Sequence, residues 1–142
     1  MNHNLETFLH HISIVLHSEM TIEEDHAWIV PAENPELLLT LVWGDENEDI
    51  IYSLSLGEFN EHLPHKLALD CLQTNLLMAT KQGPRLTYSS ESKMITLVDA
   101  INFNNTTEDT LGNFTLEFVK FGAEIRNKIE EIGYRINITM DN

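Results

Sequence analysis

Asp49-Ile50-Ile51-Tyr52-Ser53-Leu54-Ser55-Leu56 is the stretch on which the fold turns. Ile50, Tyr52, Leu54 and Leu56 alternate with Ile51, Ser53 and Ser55, the period of two that marks a strand with one buried face. Just before it, Gly44-Asp45-Glu46-Asn47-Glu48 is short and turn-rich, and Leu37 to Trp43 is a second extended candidate. The two are expected to pair as an antiparallel hairpin. Trp28 to Val30 is a third such candidate, and the acidic, polar segment Thr21 to His26 reads as a connection. Farther towards the N-terminus, Leu5, Phe8, Leu9, Ile12, Val15 and Leu16 recur at steps of three and four, which predicts an amphipathic first helix.

Towards the C-terminus the punctuation is clear. Pro64 suits the first turn of a second helix, and Gly83-Pro84 predicts its end, with a left-handed glycine followed by a breaker. Short strands are expected near Arg85 to Tyr88 and Met94 to Val98, joined by polar residues 89–93. A third helix starts near Thr106 and Thr107, where Glu108 and Asp109 complement the positive end of its dipole. Its stripe is Leu111, Phe114, Phe118, Phe121, Ile125, Ile129 and Ile132, and Gly133 is its expected stop. The order α-β-β-β-α-β-β-α, with tight loops inside each run of strands, indicates an α+β fold on a mostly antiparallel, twisted sheet with helices packed on it.

Size and charge narrow the function. The 142 residues form one domain, taken as 1–133, followed by a C-terminal tail, 134–142. In that tail Ile136, Ile138 and Met140 alternate with Asn137 and Thr139, a pattern open to an additional strand, a loose end or a segment that covers a binding surface. With 23 Asp and Glu against 8 Lys and Arg, the net charge is −15, which disfavours nucleic acid and anionic membrane surfaces as partners. No apolar run approaches the roughly 20 residues of a membrane span, and residues 8–16 lack the basic flank and cleavage site of a signal peptide. The chain reads as cytoplasmic.

Residue chemistry points away from catalysis. His3, His10 and His17 fall on nearly one helix face but about 10 Å apart, too far to share a metal. His62 and His65 have no third ligand at a fixed spacing. Protonating all seven histidines moves the net charge from −15 to −8, a bulk effect on solubility. Cys71 sits in an apolar helical setting without a cationic neighbour and is expected to be an inert thiol. The acidic clusters 23–25 and 45–49 lack the ladder of a calcium loop. Phosphate-binding glycine loops, nucleophile elbows and His-Glu-x-x-His are all missing. No catalytic residue, cofactor or metal is expected.

The second helix is the informative element. Leu69, Leu72, Leu76 and Ala79 form one stripe, Ala68, Cys71 and Met78 another, with Leu67 and Leu77 between. A helix apolar most of the way round needs cover on two sides, and one small sheet supplies one. A second copy across a two-fold axis is the simplest cover, so Leu69, Leu72, Leu76 and Leu77 are the expected homodimer interface. The first or third helix is the alternative cover.

These features together resemble the class I type III secretion chaperones, the family that includes the chaperone of the translocated intimin receptor. The chain is small, acidic and of the same element order. Leu72-Gln73-Thr74-Asn75-Leu76-Leu77, then Gly83-Pro84-Arg85-Leu86-Thr87-Tyr88, match the leucine-rich helix with its Asn-Leu pair and following strand. Met94-Ile95-Thr96-Leu97-Val98 and Phe118-Val119-Lys120-Phe121-Gly122-Ala123 match the next strand and the last helix. The likeness covers about residues 1–133 and is carried by apolar positions. It departs where the family commonly has a Trp beyond that Ala, since Ile125 and Arg126 stand there. The resemblance implies a cytoplasmic bacterial homodimer, without nucleotide, that binds the N-terminal secretion region of one or more effectors. It would keep that region extended and help present it to the secretion ATPase. Candidate effector contacts are Phe8, Ile12 and Val15 on the first helix and Trp28, Trp43 and Ile51 on the sheet, with ordinary core as the competing assignment for each. The alternatives are a binding or regulatory module of the same fold unrelated to secretion, and a small metal-dependent enzyme using the His and carboxylate groups.

Overall fold

The computed structural model describes residues 3–44, 49–59 and 63–131. Residues 45–48 of the expected turn, His62, the Gly133 stop and the tail 134–142 lie outside them. The elements are α1 (His3–Val15), β1 (Met20–Ile22), β2 (His26–Ile29), β3 (Leu38–Val42), β4 (Asp49–Glu58), α2 (His65–Thr80), β5 (Arg85–Ser89), β6 (Met94–Asn102) and α3 (Glu108–Glu131), with a single 3-10 turn at Phe103–Asn105. This is the expected α+β order with one short strand added at the front of the sheet. The strands form one antiparallel six-stranded sheet in the order β1-β2-β3-β4-β6-β5.

The alternation of β4 is realised: Ile50, Tyr52, Leu54 and Leu56 are fully buried, whereas Ile51 is exposed and Ser53 and Ser55 are half-buried. Their neighbours on the same face are Ala27 and Ile29 of β2, Leu39 and Leu41 of β3, and Ile95 and Leu97 of β6. Leu5, Leu9, Ile12 and Leu16 of α1 and Leu111, Phe118, Val119 and Ile129 of α3 complete that core. The opposite face of the sheet carries Trp28, Thr40, Val42, Ile51 and Ser53, all half-buried or exposed.

Where α3 crosses β4, the approach is close. A Cβ on Gly122 would lie 2.3 Å from Leu54 Cδ2 and 3.1 Å from Leu56 Cδ2. Seven residues earlier on α3, the Thr115 hydroxyl donates to Leu111 O at 2.8 Å. That spends its one proton, so the Tyr52 hydroxyl is the donor in the 2.8 Å contact between Tyr52 and Thr115. Phe114 and Phe118 meet the Tyr52 ring edge-on, at 5.0 and 5.5 Å. Burial raises the Tyr52 pKa, with the Thr115 hydrogen bond opposing, and keeps the phenol neutral. One turn of α3 beyond Gly122, Arg126 is buried. The β4–β6 register shifts between Ser55 and Gly57, at a glycine with φ 145°, and the bulged Leu56 carbonyl accepts a hydrogen bond from Arg126 Nη1. Arg126 Nε also pairs with Glu130 Oε1 at 3.4 Å.

Two details differ from the sequence reading. Met20–Ile22 is a strand that overlaps the segment Thr21 to His26 read as a connection, and a two-residue turn closes it onto β2, with Glu23 N–H donating to His26 O at 2.8 Å. Three residues are too few to display a period. At the end of α2 the left-handed residue is Gln82, φ 55°, and not Gly83. Gly83 N–H instead reaches Met78 O and Gln82 N–H reaches Ala79 O, which places glycine one position beyond the left-handed site.

Two outcomes are expected in denaturant unfolding. Gly122→Ala forces a methyl into Leu54, which has no room to retreat, and should cost about 1–3 kcal/mol. Thr115→Val strands a buried phenol O–H and should cost about 1–3 kcal/mol, whereas Tyr52→Phe leaves the Thr115–Leu111 bond intact and should cost less, about 0.5–1.5 kcal/mol. Equal losses would contradict the assigned direction of the bond.

Candidate functional site

The sequence Leu67 to Thr80 makes a two-sided helix, and the structure buries one side of it. Leu67 is in the core, and Cys71, Asn75 and Met78 are half-buried. Asn75 bonds the edge strand β5 twice: its Nδ2 donates to Leu86 O at 3.0 Å and its Oδ1 accepts from Leu86 N–H at 2.7 Å. The other side is bare. Leu69 is 50% exposed, Leu72 64%, Leu76 69% and Leu77 63%. At about 100° per residue, Leu69, Leu72 and Leu76 fall within an arc of roughly 60°, with Leu77 some 80–100° farther round. Neither α1 nor α3 covers these side chains, so the alternative cover raised by the sequence is not the one the fold uses.

The residues singled out for a client divide by depth. Ile12 is fully buried, and Phe8 and Trp43 are each 8% exposed. These three belong to the core: Phe8 meets the Phe103 ring edge-on at 6.3 Å, and the main-chain N–H of Trp43 donates to Asp25 O at 3.2 Å. They offer little surface to a ligand, because the α1 stripe that reads as a patch in sequence is the stripe that packs into the core, as Trp43 also does. Val15 and Trp28 are half-buried and Ile51 is exposed, and these remain reachable. Trp28 and Ile51 lie on the open sheet face, where His26 stacks on Trp28 with ring centres 5.5 Å apart. The Asp25 carboxylate, hydrogen-bonded to His26 Nδ1 at 2.8 Å, is held below its usual pKa by that bond.

A surface that the sequence did not disclose lies between α1 and β1. Leu9, His10 and Ser13 of α1 face Met20 and Ile22 of β1 across a groove of about 520 Å³, with Glu6 and Glu19 at its rim. Beside it runs a free sheet edge. Because Glu23 bonds His26 across the turn, the alternation of an antiparallel ladder points the N–H and C=O groups of Ile22 and Met20 away from β2. The only sequence signal for this edge was Met20 and Ile22 at a spacing of two amid acidic residues. The sheet's other edge, β5, is the one stoppered by Asn75. Among the described residues no group of three His, Cys, Asp or Glu is placed to hold a metal, and no helix is long and apolar enough to cross a membrane. Burial, with the Asp70 carboxylate adding to it, pushes the Cys71 thiol pKa up and lowers its reactivity.

No protein-family model matches the sequence, and no curated protein matches it. Solved structures do. A chain in the structure of the HopA1–SchA chaperone–effector complex aligns with a TM-score of 0.64 and 17% identity, over 87% of this chain and 94% of that one. A chain in the crystal structure of the ExsC–ExsE complex aligns with a TM-score of 0.68 and 11% identity, over 89% of this chain and 96% of that one. The chain therefore shares its fold with chains in these two complexes, the first a chaperone–effector complex, in line with the fold that the sequence resemblance implies.

Since Leu72 and Leu76 are bare in the single chain, Leu72→Glu and Leu76→Glu should each fold with wild-type secondary structure by circular dichroism. If the leucine face meets a second copy, sedimentation at ten micromolar should show wild type as a dimer and both variants as monomers, because an unpartnered carboxylate buried there costs several kcal/mol.

Proposed function

We propose that the protein is a homodimeric, cytoplasmic chaperone that holds the N-terminal secretion region of a type III effector in extended form and presents it to the secretion machinery, including its ATPase. One observation carries this reading: nearly nine-tenths of the chain shares its fold with a chain in a chaperone–effector complex. The surfaces left bare suit the two tasks. The α2 face with Leu69, Leu72, Leu76 and Leu77 is the proposed dimer interface. Covering each leucine contributes about 1–2 kcal/mol, so two copies gain about 8–16 kcal/mol, on the scale of the roughly 4–15 kcal/mol that association costs. Catalysis has no part in the proposal.

For the client, an extended segment adds to the free edge of β1, with apolar side chains in the α1–β1 groove and against Val15, Trp28 and Ile51. Phe8, Ile12 and Trp43 act from beneath, as the packing that holds these surfaces in place. A span of about 50–100 residues lets a chain rising ~3.3 Å per residue pass around a dimer. Ordering it requires burial on the order of 1,000–3,000 Å². The charge of −15 keeps a carrier with bare apolar faces in solution.

Purifying the untagged protein with its native partner and identifying the bound peptides tests the reading: an effector's N-terminal region, protease-sensitive when free and protected in the complex, is expected. A partner bound as a compact folded domain would overturn it. Affinity should fall only modestly from low to high salt, because strand pairing and apolar contacts dominate. Ile22→Pro removes an outward N–H while sparing the ladder to β2. It should leave the dimer intact and weaken client binding about tenfold in a calorimetric titration, and unchanged affinity would remove β1 from the site.

A further inference from the structure

The groove between α1 and β1 combines an apolar lining with an acidic rim. Leu9, Met20 and Ile22 line it, and Glu6 and Glu19 stand at its edge, both exposed. Among the described residues neither carboxylate makes an ion pair and no Lys or Arg lines the groove. The strand register decides which side chains of an added strand would enter. Met20 and Ile22 pair with Ile29 and Ala27, so they share the helix-covered face of the sheet, and their outward N–H and C=O groups are the ones left for a further strand. In an antiparallel pair, the residue that exchanges both hydrogen bonds with Met20 or with Ile22 lies directly opposite it and turns its side chain to the same face. Two client positions, two residues apart, therefore point towards α1. We infer that one of them is a Lys or Arg and the other an aliphatic residue, an inference that rests on the proposed addition of a client strand to β1.

Stem and charge select this chemistry together. A Lys or Arg side chain lays its methylenes along Leu9 and Ile22, the latter 46% exposed, and lifts its charge to the Glu6 and Glu19 rim. An Asp or Glu at the same position would meet two like charges. A second copy of the chain, the other candidate for a bare edge, is disfavoured by the same carboxylates. Two β1 strands paired antiparallel about Thr21 would set Met20 opposite Ile22 and Glu19 opposite Glu23, twice over, and like charges directly opposite one another destabilise a sheet. Glu24 and Asp25 follow close behind. The edge thus resists pairing with itself while admitting a basic strand.

Three capped peptides of about ten residues test it, each alternating Val with N-methyl-Thr so that only one edge can pair, with one central Val replaced by Lys, Gln or Glu. Titrated into the full-length protein labelled with nitrogen-15, they report their site through the Met20 and Ile22 amide shifts and their affinity through the concentration dependence of those shifts. The Lys peptide is expected to move both amides and to bind about threefold or more tighter than the Gln peptide and about tenfold or more tighter than the Glu peptide, since each exposed ion pair is worth up to about fivefold. In the Glu6→Gln, Glu19→Gln double variant, changed only at exposed positions, the three affinities should converge to within about twofold. Equal affinities for the wild type would overturn the inference and leave strand addition at β1 standing, whereas no shift at Met20 and Ile22 with any peptide would overturn both. A Lys preference that survives in the double variant would also overturn it, by tracing the preference to the overall charge of −15 and not to the rim. Met20 and Ile22 amides that broaden as the protein is concentrated without peptide would place a second copy on the edge, which likewise counts against the inference.

Discussion

The crossing of α3 over β4 is the constraint from which the rest of the architecture follows. Gly122 lets the helix axis settle onto Leu54 and Leu56 at a distance that a single methyl would forbid. At that distance Tyr52 reaches Thr115, and Arg126 reaches the carbonyl that the β4 bulge sets free. A helix held off by even an ångström would leave a buried phenol and a buried carbonyl without partners, each costing about 1–3 kcal/mol. The bulge and the arginine are thus two halves of one device, because an extra residue in the strand creates an acceptor that only a long donor from the helix can satisfy. The departure from the family pattern at Arg126 acquires a structural reason here.

Much of this was legible in the sequence, for identifiable reasons. The β4 alternation and the α1 and α3 stripes are long enough for a period to emerge: Leu5, Phe8, Leu9, Ile12 and Leu16 on α1 and Leu111, Phe118 and Ile129 on α3 are buried as expected, whereas Val15, Phe114, Phe121 and Ile125 are half-buried and Thr115, Val119 and Arg126 join the buried face unannounced. Thr107 also caps α3 as its position suggests, with its hydroxyl accepting the Thr110 N–H at 3.2 Å. Met20–Ile22 was not legible because three residues hold no repeat, and its pairing is fixed by a turn made of acidic residues rather than by glycine. The displaced left-handed position at Gln82 was hidden for a different reason. Glycine next to a proline is the usual marker, but the hydrogen bonds that close the helix, not the residue type, decide which position turns left.

Site residues were harder to read than elements. A stripe on a helix announces that something covers it and does not say what. On α1 the cover is the protein's own core, with α3 and the turn at Phe103 against it, so Phe8 and Ile12 became core. On α2 the same kind of stripe stayed bare, because Asn75 anchors the helix to β5 by its other side and turns the leucines outward. That anchor is a pair of hydrogen bonds between positions eleven residues apart, which hydropathy cannot register. The groove beside β1 escaped for a related reason, since it depends on which strand ends the sheet.

Asn75 has a further consequence, for how far strand addition can propagate. A sheet with two live edges is bifunctional: each copy can pair with a neighbour on either side, and an open-ended stack can follow. By filling both the donor and the acceptor of Leu86, Asn75 makes the sheet monofunctional at that position. A monofunctional unit ends a chain reaction instead of extending it. In the proposed mode of binding each copy takes one added strand at β1 and offers Leu86 to none, so the stoichiometry of strand pairing is limited by an amide side chain rather than by the supply of strands.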